Sequence, residues 1–202
     1  MSSMRLPGKV LKQLLGVPLI VFMMQRVQLA SRIDRFVVAT STDSSDDPLA
    51  NVLAKHCIEC FRGNLDDVLD RFYQAATALN ASYVIRLTGD CPLVDADLID
   101  KVAHEVQRGS IDYASNIEPP TYPNGLDVEA FTLAALTQAW HEAILPSERE
   151  HVTPFLRKQP NRFRHANVTG LADLSALRWT VDYPDDLEYV QSLLATAQVE
   201  RA

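Results

Sequence analysis

Apolar positions along the chain follow two alternating rhythms. Short β-rich runs at residues 35–40 (RFVVAT), 56–61, 83–88 (YVIRLT), 111–116 and 178–182 (RWTVD) read as strands. Between them, segments of helical period cover about 18–31, 48–55, 65–79, 97–107, 133–142, 148–158 and 184–197. Such alternation predicts an α/β domain with a mixed, mostly parallel sheet. Two helix starts carry their own signals: Asp47-Pro48 and Tyr183-Pro184-Asp185-Asp186 combine a first-turn proline with carboxylates at the positive end of the helix dipole. Residues 117–126 (IEPPTYPNGL) hold three prolines and an Asn-Gly pair, so a loop is expected there, a lip over the site, followed by a short strand at 127–131. No repeat, low-complexity tract or linker divides the sequence, which reads as one domain, 1–202.

Composition narrows the function classes. A hydrophobic content of 47% with 22% charged residues is ordinary for a globular domain. The net charge of -7, without clustered Lys and Arg, argues against a nucleic-acid partner. The longest apolar stretch, 17–24, falls far short of the ~20 residues a membrane helix needs, and the first thirty residues lack a secretory signal pattern, so a cytoplasmic protein with no membrane partner is expected. Cys57, Cys60 and Cys91 are an odd number and are expected as reduced thiols. Cys57 and Cys60 have the spacing of a redox or zinc half-motif, but a second pair of soft ligands is missing.

Candidate chemistry collects in three places. In Arg5-Leu6-Pro7-Gly8-Lys9, a glycine that admits close backbone approach lies between an arginine fork and a lysine point charge, a set suited to a triphosphate. The same residues also fit a basic chain terminus. Thr88-Gly89-Asp90 ends the cleanest strand, where open α/β sheets bind ligands; Asp90 suits Mg²⁺, or alternatively caps the following turn. Asp182 likewise ends a run just before a helix, while Asp185, Asp186 and Glu188 read as first-turn carboxylates.

Weaker candidates lie elsewhere. Asp127 and Glu129 alternate along a strand and face one side, as sugar-hydroxyl recognition would require. Asp66, Asp67, Asp70 and Arg71 have helical spacing; Asp70 and Arg71 are candidates for touching nucleoside or sugar, while Asp66 and Asp67 fit a solvated helix start. Consecutive placement of Glu148, Arg149, Glu150 and His151 points them around a helix, favouring an ion-paired start over a metal site.

Seven collinear blocks then carry a resemblance: RLPGKVL (5–11), VVATSTDSSDDP (37–48), FRGNLDDVLDRF (61–72), RLTGDCPLVD (86–95), YPNGLDVEAF (122–131), SEREHVTPFLR (147–157) and LRWTVDYPDDLEYV (177–190). Over nearly its whole length the chain resembles cytidylyltransferase-like proteins related to spore coat polysaccharide biosynthesis protein F, relatives of the acylneuraminate and 3-deoxy-manno-octulosonate cytidylyltransferases. The resemblance implies a Rossmann-like, three-layer nucleotide-diphospho-sugar transferase fold. It also implies a reaction in which a sugar oxygen attacks the α-phosphorus of CTP and pyrophosphate leaves. Carried over by residue, Arg5 and Lys9 hold the phosphates and act in catalysis, Gly8, Thr88 and Gly89 border the nucleotide, Asp90 and Asp182 bind Mg²⁺, and His151 joins the sugar candidates. An acidic sugar for a surface polysaccharide is the expected acceptor.

Relatives begin with a hydrophobic strand and a further arginine ahead of this loop, so the resemblance further implies a first strand that lies upstream of Met1. Two other functions stay open: a non-catalytic sugar-nucleotide binding subunit, and a glycosyltransferase using Asp95-Ala96-Asp97, a spacing that equally suits a helix cap. The sequence leaves the oligomeric state open, a homodimer included.

Overall fold

The computed structural model describes residues 5–199. A 3₁₀ turn at Lys9–Leu11 leads into a small antiparallel hairpin, β1 (Gln13–Leu14) with β2 (Val17–Pro18), and then α1 (Leu19–Val27). There follow β3 (Val37–Ser41), α2 (Asp47–Lys55), β4 (Glu59–Gly63), α3 (Val68–Ala78), β5 (Tyr83–Arg86), α4 (Ala96–Gln107) and β6 (Tyr113–Ser115). The rest comprises β7 (Glu129–Thr132), α5 (Leu133–Glu142), α6 (Pro146–His151), α7 (Pro154–Arg157), β8 (His165–Asn167) and α8 (Pro184–Val199).

Local chemistry places these elements. Asp95 accepts the Leu98 N–H and so caps α4, whose apolar spacing buries Leu98, Ile99, Val102, Ala103 and Val106 on one face. The Asp95-x-Asp97 spacing therefore marks a helix start. Pro48 and Pro184 sit in the first turns of α2 and α8, as their positions in the sequence predict. The segment 148–158 is not one helix: Val152, at φ 70 and ψ -57, breaks it into α6 and α7.

The architecture is α/β with a mixed sheet. β3 and β4 pair in parallel. A four-stranded sheet runs β5-β7-β6-β8, with β6 and β8 parallel and β7 antiparallel to both β5 and β6. Parallel pairing is thus less dominant than the alternating pattern suggests, because β7 follows the proline-rich loop rather than a crossover helix. Residues 178–182 do not form a named strand either. Their amides go to two different loops, Trp179 N–H to the Asn124 carbonyl and Val181 N–H to the Asp90 carbonyl, so no ladder is built.

One feature of the sheet stands out. Among the described residues β3 pairs only with β4 and β5 only with β7, leaving one edge of each unpaired. Both edges border the same apolar cavity of about 550 Å³, closed by Ile20, Met23 and Met24 of α1 and by Phe72 and Ala76 of α3. Two unpaired edges thus flank one apolar slot between helices.

Candidate active site

The N-terminal loop is docked, and burial explains how. Leu6 packs with Leu14, Leu19, Val181 and Val190 in a small core of its own. Burying one leucine contributes about 2 kcal/mol, which outweighs the ion pair of the largely exposed Arg5. Gly8 takes a left-handed conformation (φ 66, ψ 23) and turns the chain into the 3₁₀ segment. A Cβ on Gly89 would lie 3.3 Å from Val10, so that glycine admits the turn against the end of β5.

Docking brings Lys9 between two distant carboxylates. Its Nζ donates to Asp90 Oδ2 at 2.8 Å and to Asp182 Oδ1 at 2.9 Å. The Val181 N–H to Asp90 carbonyl bond (2.8 Å) fixes the separation of the two aspartates. Gly125 makes room for this passage, since a Cβ there would sit 2.7 Å from the Trp179 carbonyl carbon. Arg5 reaches Asp182 at 3.3 Å and Tyr183, and Arg178 holds both Asp182 (3.2 Å) and Asp186 (2.5 Å). The Asp186 carboxylate, in the first turn of α8, also accepts the N–H groups of Asp182 and Tyr183 and so ties the helix start to the residues before it.

Protonation follows from these contacts. Burial alone would lower the Lys9 pKa, but hydrogen bonds and charge from Asp90 and Asp182 outweigh it and hold the ammonium above its ordinary value. For Asp90 burial pushes upward, but the hydrogen bond and charge of Lys9, with hydrogen bonds from Thr88 and the backbone, more than reverse it and hold the carboxyl below its ordinary value.

Beside this ion network lies a polar recess of about 230 Å³. Arg86 at the end of β5, Thr88 just beyond it, Asp127 and Glu129 line it. His151, Thr153 and Arg157 complete it. Glu129 is fully engaged, taking Arg86 at 2.5 Å and the Tyr113 hydroxyl at 2.6 Å. Burial, then the charge of Glu129, raise the Asp127 pKa, with Asp90 adding to it. The Arg157 Nε is buried without a partner, and its NH1 makes only a 3.4 Å contact to Glu118. Arg157 lines the recess, and its guanidinium suits ligand oxygen there. His151 and Thr153 flank Val152, whose γ-turn (Thr153 N–H to His151 carbonyl, 2.8 Å) has a positive φ rare for a β-branched residue.

The remaining candidates lie apart from both features. Asp70 accepts the Trp140 Nε1–H at 2.8 Å and a Gln74 amide, and Arg71 donates to the Asn64 carbonyl while lining the apolar cavity. Asp67 is more than a solvated helix start: it caps α3 and binds Arg149 at 2.5 Å. Among the described residues no group of three or more His, Cys, Asp or Glu converges as a metal site, and the three cysteines are free thiols. Arg86, Arg157, Thr153 and Arg178 were not singled out by sequence reasoning. Arg86 had a signal, since it precedes Thr88 by two and shares its face; Arg178 and Arg157 owe their place to tertiary packing.

Comparison with known proteins gives the family. The chain fits the cytidylyltransferase family profile over residues 1–200. It is 34% identical to the spore coat polysaccharide biosynthesis protein SpsF of Bacillus subtilis, covering 98% of this chain and 84% of SpsF. It is 27% identical to a 3-deoxy-manno-octulosonate cytidylyltransferase of Mesorhizobium japonicum, covering 96% of each. A solved cytidylyltransferase from Leptospira borgpetersenii superposes with a TM-score of 0.92 at 31% identity, over 97% of this chain and 83% of that one. With an α/β fold, a docked basic loop and paired aspartates at the sheet's end, the chain belongs to the cytidylyltransferase family.

Proposed function

We propose that this protein is a Mg²⁺-dependent cytidylyltransferase that joins CTP to a sugar, an acidic one for surface polysaccharide synthesis, and releases pyrophosphate. The observation that carries the reading is Lys9, held between Asp90 and Asp182 beside the polar recess. Arg5 and Lys9, with the backbone around Gly8, receive the triphosphate, while Thr88 and Gly89 border the nucleotide at the end of β5.

Two carboxylates already converge on one cation here, which supports reading them as the ligands of a divalent ion. Mg²⁺ takes one or two carboxylates and fills its shell with phosphate and water, so a third protein ligand is not required. Asp90 and Asp182 would hold it, and it would neutralise charge developing on the phosphates. The recess receives the acceptor: Asp127 and His151 face its hydroxyls, and Glu129 keeps Arg86 in place. The sugar oxygen then attacks in line, and the cationic side chains steady the leaving pyrophosphate. An acidic acceptor is supported by the name of the octulosonate relative and by the Arg157 Nε that lacks a partner.

The reading also includes a further apolar strand ahead of the N-terminal loop in the same polypeptide. The slot between β3 and β5 supports it, with its unpaired edges and its lining by Val10 just beyond the loop. Pyrophosphate release from CTP and Mg²⁺, with 3-deoxy-manno-octulosonate and other sugar acids as acceptors, tests the function. Turnover with CTP above the other three nucleoside triphosphates is expected. Absence of turnover in a chain extended by such a strand would sink it.

A further inference from the structure

The ion network around Lys9 is complete in itself. Three cations, Lys9, Arg5 and Arg178, meet three carboxylates, Asp90, Asp182 and Asp186, so the cluster is neutral as it stands. Lys9 is its inmost member, with a side chain only 15% exposed, and two of its three ammonium donors are spent on the aspartates. A divalent ion alone would have to enter against that ammonium and two guanidinium groups, at contact distances where screening by salt is weak.

We infer that the Lys9 ammonium occupies the position of the divalent cation in the resting protein, so that Asp90 and Asp182 accept metal only when a triphosphate draws Lys9 away. The inference rests on the assignment of Asp90 and Asp182 as metal ligands and adds an order of loading. Lys9 is long and unbranched, with freedom to swing from carboxylate to phosphate by rotamer changes alone. Both partners suit it: the carboxylates hold it in the empty site, and phosphate oxygens hold it in the loaded one. The lysine thereby keeps two aspartates from facing each other uncompensated, and it couples metal binding to nucleotide binding as linked equilibria. Metal held without nucleotide would be weak, and the coupling is reciprocal, so nucleotide held without metal would be weak as well.

The test measures Mn²⁺ binding to the full chain without nucleotide, through loss of the free-ion electron paramagnetic resonance signal. Lys9→Met and Lys9→Gln are expected to bind Mn²⁺ about tenfold or more tighter than the unaltered chain, because a competing positive charge is gone. Lys9→Arg, which keeps the charge, should bind as weakly as the unaltered chain. Adding Asp90→Asn to Lys9→Met should abolish the gain. If both uncharged variants bind no tighter, while Asp90→Asn still weakens binding, the order of loading is overturned and the metal assignment stands. If Asp90→Asn changes Mn²⁺ binding in neither background, both are overturned.

Discussion

Two cavities border the same strand and differ in every chemical respect. On one side β5 lines an apolar slot of about 550 Å³, while its last residues wall a polar recess of about 230 Å³. Arg86 and Thr88 belong to both linings. In the slot the unmet groups are chiefly backbone N–H and C=O on two strand edges, with the buried Arg71 Nε beside them. In the recess the unmet group is a side-chain donor, the Arg157 Nε, near an Asp127 carboxyl whose pKa burial and Glu129 raise. An unpaired edge asks for protein; an unpaired side chain asks for ligand.

The sharpest way to break this contrast is at the edge of the recess. Asp90→Asn or Asp182→Asn should lower pyrophosphate release from CTP by about a thousandfold or more, since electrostatic stabilisation is usually the largest catalytic contribution. Near-normal turnover in either variant would remove the aspartates from the reaction. Joining five or six apolar, strand-forming residues ahead of Met1 should raise Tm by roughly 10 °C, as burying several apolar side chains in a chain of this length implies. Amide exchange in β3 and β5 should slow with it. An unchanged Tm would mean that the slot is a void and not a vacancy.

Asp127→Asn should raise KM for the sugar about tenfold while leaving KM for CTP alone, and steady-state kinetics with either substrate varied would show the split. The same substitution should slightly raise Tm at neutral pH. A carboxyl whose folded pKa is raised binds its proton more tightly in the native state, so its ionisation costs stability as pH climbs above the unfolded value, and asparagine removes that cost. The smallest expected effect concerns the Lys9–Asp90 pair. Asp90 is depressed, so its contribution is present above about pH 4 and fades as pH falls through its folded value; Lys9 is raised, so its contribution is present below about pH 10.5 and fades as pH rises through its own. Thermal melts of Lys9→Met against the unaltered chain should differ across that plateau and converge at both extremes.

Much of this was legible in the residues. The α4 start at Asp95, the prolines opening α2 and α8, and the β-rich runs at 35–40 and 83–88, seen as β3 and β5, follow from local propensity, which acts over a few residues. Where reading failed, the cause was long range. RWTVD has the composition of a strand, yet its hydrogen bonds divide between Asn124 and Asp90, residues far off in sequence. Residues 148–158 have a helical period, yet Val152 turns the chain so that His151 and Thr153 both reach the recess. Asp70 and Arg71, adjacent and polar, looked available for substrate, and tertiary packing spends Asp70 on Trp140.

The basic loop at Arg5 to Lys9 shows where the division falls. Sequence by itself determined most element types, the positions of Gly8, Asp90 and Asp182 beside turns and helix starts, and the family, because propensity and motif order are properties of neighbouring residues. Only the tertiary structure decided that the loop is docked and not a tail. Burial of Leu6 against Val181 and Val190 joins opposite ends of the chain, and that apolar contact sets Lys9 between two aspartates 92 residues apart in numbering (182 less 90). Charge pairing is decided by distance through space, and no spacing along the chain encodes it.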